Sequence, residues 1–332
     1  MAKKQPMNLA RTWKKPSTLK LAPTRDGYGK GLVEYGKKDK NMYVMCADLS
    51  ESTRSHWFKE AFPERYVQMG VSEQSLAAIA GGMALAGKKV WIASYAAFSP
   101  GRNWEQIKTT GCMQRTNIKI AGAHAGVSVG PDGGTHQMLE DIALMRVLPK
   151  MTVLVPCDAI ETKKATIAAS KMEGPVYVRF GREKSPVFTT ESTPFKIGQA
   201  QVFRDGSDVA IIGCGALVYE CMMAAEELQK HGISARVINN VSVKPLDEKT
   251  IITAAKDCGA IVTVEEAQVA GGMGSAVCEL LSEEYPVPIE RIGMQDRFGE
   301  SGEPNELLEH FNLTAPSIVK VAKSVLKKKQ RR

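Results

Sequence analysis

The residues best placed to do chemistry lie in one segment, Gly122-Ala123-His124-Ala125-Gly126-Val127-Ser128-Val129-Gly130-Pro131-Asp132-Gly133-Gly134-Thr135-His136-Gln137. It carries five glycines and two of the chain's five histidines, with one aspartate between them. Glycine lets a loop take positive φ and brings backbone close to a ligand. Histidine and aspartate beside such a backbone can hydrogen-bond substrate hydroxyls and move protons near neutral pH. A flexible surface loop is the competing reading, but glycine alone does not bring two histidines. Glu73 is a second candidate, in the first turn of an apolar helical stretch, where a carboxylate is also simply a favourable dipole partner worth ~0.3–1 kcal/mol. Tyr95 and Phe98 follow a strand and fit either a stacking platform or a core. Gly213-Cys214-Gly215 invites a dinucleotide reading, but position 218 is Val, so the third glycine of the motif is missing and strand-to-helix packing is the better account.

These residues need a frame. Short β-branched or apolar runs alternate with helix-like stretches along the chain, which predicts α/β architecture with parallel sheets. In the first half the strands are expected at 43–47, 90–94, 118–121, 152–155 and 176–180, their continuous apolar character suiting burial on both faces. The stretch 73–86 reads as a helix capped by Ser72, apolar nearly all round and therefore deeply buried. The loop 122–137 then follows a parallel strand at its carboxyl end, where open α/β sheets bind ligands.

The Pro-, Ser- and Thr-rich stretch 183–197 has no helical period and reads as a linker. The expected organisation is a basic arm over 1–20, an α/β domain over 21–182, the linker, a second α/β domain over 198–326 and a basic tail over 327–332. The second domain is expected to hold strands at 208–212, 234–239, 260–265 and 289–292, with helices at 216–231, 272–284, 303–310 and 317–326.

With 332 residues the chain is long enough for two cores. No apolar run approaches the ~20 residues that span a bilayer, and the first 21 residues lack the apolar stretch of a signal peptide. The reading is a cytoplasmic protein with no membrane role. The seven cysteines form no C-x-x-C pair and mostly sit in apolar runs, which suits reduced, buried small hydrophobes rather than metal ligands. The formal net charge of +8 concentrates at Lys3, Lys4, Arg11, Lys14 and Lys15 and in Lys327-Lys328-Lys329-Gln330-Arg331-Arg332. No aromatic platform accompanies these runs, so they read as solvated tails and not as a nucleic-acid surface.

Taken in order, four segments resemble the C-terminal half of transketolase in its separately encoded form. Ala47-Asp48-Leu49-Ser50-Glu51-Ser52 resembles A-D-L-x-x-S, and Gly70-Val71-Ser72-Glu73 resembles a G-[IV]-x-E helix start. His124 with Asp132-Gly133-Gly134-Thr135-His136-Gln137 matches H-x7-D-G-x-T-H-Q, the most specific element. Phe298-Gly299-Glu300-Ser301-Gly302 with Leu313-Thr314-Ala315 is similar to the end of the family's last domain. The likeness runs over about residues 20 to 326.

The resemblance implies a pyrimidine-binding α/β domain followed by a transketolase C-terminal-like domain, with thiamine diphosphate as cofactor. It assigns Glu73 to the ring nitrogen of the cofactor's aminopyrimidine, a role that burial assists by raising a carboxyl above its free value of ~4.3. Tyr95 and Phe98 would stack on that ring and Asp48 would lie near the cofactor. Asp132 and His136 would hold the donor sugar's hydroxyls. His124, Ser52, Arg25 and Arg182 would grip its phosphate, the planar guanidinium matching phosphate oxygens. Two positions depart from the family: Gly101, where a third aromatic is often found, and Ala267, where histidine often follows Glu265-Glu266.

Thiamine-diphosphate enzymes hold the diphosphate through magnesium (Mg2+), using a Gly-Asp-Gly motif that this chain lacks. A diphosphate needs its hard cation and oxygen ligands. The metal ligands, none of which are expected here, would come from a separate N-terminal transketolase subunit in an α2β2 assembly. The implied reaction moves a two-carbon ketol unit between sugar phosphates. The rivals are the beta subunit of a 2-oxo-acid dehydrogenase, a deoxyxylulose-phosphate-synthase-like enzyme, and a subunit that only scaffolds or regulates its partner.

Overall fold

The protein is described by a computed structural model covering residues 8–330. Lys3, Lys4, Arg331 and Arg332, read above as parts of basic tails, lie outside the described residues.

The strands assemble into two large sheets and one short antiparallel pair, Leu21–Pro23 with Lys184–Pro186. The first has seven strands in the spatial order Ser242–Lys244, Thr152–Leu154, Val176–Phe180, Ile118–Ala123, Lys89–Tyr95, Met42–Cys46 and Tyr66–Gln68. All neighbours are parallel except the edge strand Ser242–Lys244, which runs antiparallel to Thr152–Leu154. Every residue of Ile118–Ala123 and Val176–Phe180 is buried, as expected of central strands covered on both faces. The second sheet has five strands in the order Ile289–Met294, Ile261–Gln268, Val209–Gly213, Ala235–Asn239 and Gln201–Arg204, the last antiparallel to its neighbour. Both sheets are thus the expected parallel α/β type with one antiparallel edge each. Ser242–Lys244 comes from the second half of the chain yet closes the first sheet, tying the two halves together by main-chain hydrogen bonds.

Three of the helices longer than ten residues lie outside the expected set: Thr24–Gly36, Ala159–Lys171 and Glu248–Cys258. The first carries four glycines and is a poor helix former by propensity. Its glycines serve close packing instead. A Cβ on Gly27 would stand 2.1 Å from the Ala159 carbonyl oxygen, and one on Gly31 would stand 2.7 Å from the Thr166 Cβ. Tertiary contact with Ala159–Lys171 outweighs the propensity cost of ~1 kcal/mol per glycine.

The helix Glu73–Leu85 forms where expected but is not buried all round. Leu76, Ala77, Ala80 and Ala84 face the core, whereas Ile79 is 46% and Leu85 64% exposed. Ser72 holds the N-cap position, but its hydroxyl donates to the Met69 carbonyl at 2.7 Å rather than accepting a helix amide.

Two terminal segments differ from the solvated tails expected. The final helix runs from Ala315 to Gln330, and Lys329 Nζ donates to the carbonyls of Cys258 at 2.8 Å and Asp208 at 3.2 Å. Near the start, the Trp13 carbonyl accepts from the Tyr219 hydroxyl at 2.9 Å and Lys14 pairs with Glu226 at 2.8 Å. Six of the seven cysteines are buried, consistent with their reading as core residues. Among the described residues no helix is long and apolar enough to cross a membrane.

Candidate functional site

The carboxyl ends of the central strands in the first sheet carry the site. Lys89–Tyr95 ends in Tyr95, and the turn that follows presents Phe98, with ring centroids 5.9 Å apart and planes 16° from parallel. Neither ring is fully buried. The neighbouring strand Ile118–Ala123 runs directly into His124, whose φ is +56°. That left-handed turn lays the imidazole flat against Tyr95, centroids 3.9 Å apart and planes 19° from parallel. His136, returning from the far side of the loop, meets Phe98 edge-on at 5.4 Å and Tyr95 at 6.2 Å. Four of the predicted residues therefore form one aromatic cluster.

His124 is 1% exposed. Its Nε2 lies 3.4 Å from Arg25 Nη1. A guanidinium only donates, so Nε2 accepts and the proton sits on Nδ1. That Nδ1 is buried without a partner. Burial, with Arg25, Arg182, Arg54 and His136 nearby, drives the imidazole pKa down to about 2, so the ring is neutral at physiological pH. Arg25 itself is lowered, first by burial and then by Arg54, and its Nε also lacks a partner. It donates to the Ser52 carbonyl at 2.8 Å, so Ser52 is engaged through its main chain. Arg25 and Arg54, with Arg182, make this corner electropositive and suited to an anionic group.

Arg182 bonds the loop from another side, donating to the Val129 carbonyl at 3.0 Å and to Asp132 Oδ1 at 3.2 Å. Two residues expected to touch a sugar phosphate are thus paired with each other. Thr135 Oγ1 and His136 Nδ1 stand 3.0 Å apart.

Glu73 opens its helix and is 4% exposed. Asn103 Nδ2 donates to its carbonyl at 2.9 Å. Its carboxylate meets a residue the sequence did not single out: Arg102 Nη1 stands 3.4 Å from Oε2, while the guanidinium lies 4.2 Å from the Phe98 centroid. Gly101 cannot take the third aromatic in this backbone, because a Cβ there would stand 2.0 Å from the Ala97 carbonyl oxygen. Arg102, one residue on, covers Phe98 instead. Ala267 is 1% exposed and packs in the core. Asp48 is apart from this cluster: its amide and carboxylate contact Gln68 at 2.9 and 3.4 Å.

Side-chain hydrogen bonds join the second domain to the loop at two places. Gln137 Nε2 donates to the carbonyls of Val127 and Gly130, each at 3.1 Å, and to that of Glu300 at 2.8 Å. Glu266 accepts the Ser128 amide at 2.7 Å. Gly213-Cys214-Gly215 lies elsewhere, joining the strand Val209–Gly213 to the helix Val218–Lys230, with Gly213 packed on Cys221.

Chemically, the cleft offers a buried carboxylate beside an aromatic ring, two histidines, an aspartate and a set of arginines. A planar heteroaromatic ring with a basic nitrogen could lie by Phe98 and bond Glu73. A hydroxylated, phosphorylated chain could meet His136, Asp132 and the arginines. The unpartnered His124 Nδ1, Arg25 Nε and Asn103 Oδ1, all buried, fit a site whose hydrogen bonds are completed by a ligand.

The chain matches two family models: the transketolase pyrimidine-binding domain over residues 20–187 and the transketolase C-terminal domain over residues 198–318. It is 41% identical over 307 residues to a putative transketolase C-terminal section of Methanocaldococcus jannaschii, covering 92% of this chain and 96% of that protein. It is 38% identical over 305 residues to a 6-deoxy-6-sulfo-D-fructose transketolase subunit of a Clostridium species, covering 92% and 95%. Among solved structures, a split-gene transketolase described as an inactive beta4 tetramer superposes with a TM-score of 0.86 at 43% identity, covering 92% of this chain and 98% of that one.

Proposed function

The chain belongs to the transketolase family, and from that premise we propose that it is the pyrimidine-binding subunit of a thiamine-diphosphate-dependent ketol transferase that acts only with a separate diphosphate-binding subunit. The observation that carries this reading is the convergence of Glu73, Phe98, Tyr95, His124 and His136 at one end of the first sheet, joined through Arg102 and ring contacts.

When bound, thiamine diphosphate supplies the carbon nucleophile and the electron sink for cleaving the bond next to the donor's ketone. This chain's residues do the rest. Glu73 holds the ring nitrogen and shares its proton, with the Asn103 bond to its carbonyl fixing the helix start. Phe98 and Tyr95 supply the apolar flank that orients the ring. His136 and Asp132 bond the donor's hydroxyls. Arg25 and Arg182, with the neutral Nδ1–H of His124, bind its phosphate, and Ser52 orients Arg25 through its carbonyl. That remote grip lends binding energy to the reacting centre. Asp48, which sits with Gln68, is the member of the expected set with the least support.

Two observations favour a second subunit over a self-sufficient enzyme. The sequence has no Gly-Asp-Gly to hold a magnesium diphosphate. The helix headed by Glu73 also leaves Ile79 and Leu85 open to solvent, exposed apolar side chains of the kind that subunits cover. The partner is read as an N-terminal transketolase subunit, and the assembly as α2β2 in the cytoplasm. The arginine set favours a phosphorylated ketose over a 2-oxo acid as donor.

The test is to mix the chain with a diphosphate-binding transketolase subunit, magnesium and thiamine diphosphate, and offer either a ketose phosphate or pyruvate with an aldose phosphate acceptor. Ketol transfer from the ketose phosphate is expected. Turnover with pyruvate alone moves the assignment to a 2-oxo-acid enzyme.

A further inference from the structure

The loop between His124 and His136 is held from the second domain as well as from the strand it leaves. Glu266 lies on the strand Ile261–Gln268 and is 7% exposed. Its Oε1 accepts the Ser128 amide at 2.7 Å. The carboxylate fills the space that a side chain at position 126 would need, since a Cβ on Gly126 would stand 2.3 Å from Oε1. Gly126 also has φ of +96°, so glycine is required there by both conformation and space.

Glu266 is itself fixed through its main chain. Its carbonyl accepts from Arg179 Nη2 at 2.7 Å, and Arg179 Nε donates to Asp141 Oδ2 at 2.8 Å. The same Asp141 oxygen accepts from the Tyr177 hydroxyl at 2.7 Å. Two residues along the strand, the Gln268 amide donates to the Leu139 carbonyl at 2.8 Å, just beyond the loop's end. The backbone carrying Glu266 is thus locked to the first sheet on one side and to the loop's exit on the other. Ser128 lies in the tight turn Val127–Asp132, which ends on Asp132, and His124 stands two residues before Gly126.

We infer that Glu266 is a positioning residue for the loop, its carboxylate holding the Ser128 amide so that His124 and Asp132 keep their spacing across the donor sugar. This rests on the reading of His124, Asp132 and His136 as donor contacts. Glu266 touches no substrate. Its effect runs through the turn, where a displacement of ~1 Å costs up to about 10²-fold in rate.

Two readouts test it. In the full chain, amide hydrogen exchange at Ser128 is expected to speed up at least about tenfold in Glu266→Ala and to stay within about twofold of the native rate in Glu266→Gln, whose side-chain oxygen still accepts the bond. In the complex with the diphosphate-binding subunit, Glu266→Ala is expected to raise the KM for a ketose phosphate about tenfold or more. The Kd for thiamine diphosphate should change less than about threefold, and Glu266→Gln should restore most of the loss. Should the alanine variant fail to fold, Glu266→Asp withdraws the oxygen by about 1.5 Å and is expected to show the same two changes in weaker form. Asp132→Ala and His136→Ala are run alongside. If they leave the donor KM unchanged, the reading of the loop as the sugar grip fails and the positioning role falls with it. If they raise it while Glu266→Ala does not, or if Ser128 keeps its protection without the carboxylate, the role of Glu266 alone is overturned.

Discussion

Arg102 joins the two residues expected to hold the cofactor ring: Nη1 stands 3.4 Å from Glu73 Oε2, and the guanidinium lies 4.2 Å from the Phe98 centroid. Its side chain is 52% exposed, against 4% for Glu73. Such an arginine is easily displaced, since an exposed ion pair is worth ~0.2–1 kcal/mol and an exposed cation–π contact ~0.5–1 kcal/mol. It covers the ring and carboxylate proposed above as contacts of the cofactor.

Removing this competitor should help the cofactor. In the complex with the diphosphate-binding subunit, Arg102→Ala is expected to tighten thiamine diphosphate binding about three- to thirtyfold, the range the two contact energies together allow. Calorimetric titration measures it. Weaker binding in the variant would mean that Arg102 helps hold the ring instead of standing in for it.

Glu73→Gln keeps the shape of the side chain and the Asn103 bond to the main chain, but removes the carboxyl to which we assign proton sharing with the ring nitrogen. Proton exchange at the cofactor's reactive carbon should fall by ~10²–10⁴-fold in the complex. Proton NMR after transfer into deuterated water follows it. Exchange at the native rate would remove Glu73 from its assigned role.

His124 should remain neutral through the whole working range of the enzyme. Its pKa lies at about 2, lowered first by burial and then by Arg25, Arg182, Arg54 and His136. The unfolded chain's imidazole takes up a proton near pH ~6.5, which the folded one refuses until about pH 2. Across that window the unfolded state binds more protons, so this residue's share of stability falls as pH falls. Nitrogen-detected NMR of the folded chain should show a neutral His124 ring from pH 8 down to about 5, with its single proton on Nδ1, and His124→Asn should flatten part of the acid limb of the stability curve. A ring that titrates near 6 would contradict the arrangement.

Sequence alone made the sheets and the site loop legible, because their signals are local. Val176–Phe180 is a β-branched and aromatic run interrupted only by Arg179, and its ends are the strand's ends. The loop advertises itself by glycines at its turns and by two histidines flanking an aspartate. The glycine-rich helix Thr24–Gly36 was hidden because its stability comes from contact with Ala159–Lys171 and runs against its own propensity. The open face of Glu73–Leu85 was misread for a related reason: an apolar surface looks the same in sequence whether the chain's own core or another subunit covers it. Arg102 and Arg54 gave no signal, and Glu266 marked a family position without showing its role, since single charged residues gain meaning only from what the fold sets beside them. A spacing can announce that Gln137 belongs to a motif, but not that its amide spans the loop to Glu300 in another domain.

Cofactor binding by the purified chain on its own tests the division of labour most directly. With magnesium present, titration of thiamine diphosphate into the isolated chain should give no saturable binding at micromolar concentrations and no turnover of a ketose phosphate, and adding the diphosphate-binding subunit should produce both. Tight binding and turnover by the chain alone would contradict it.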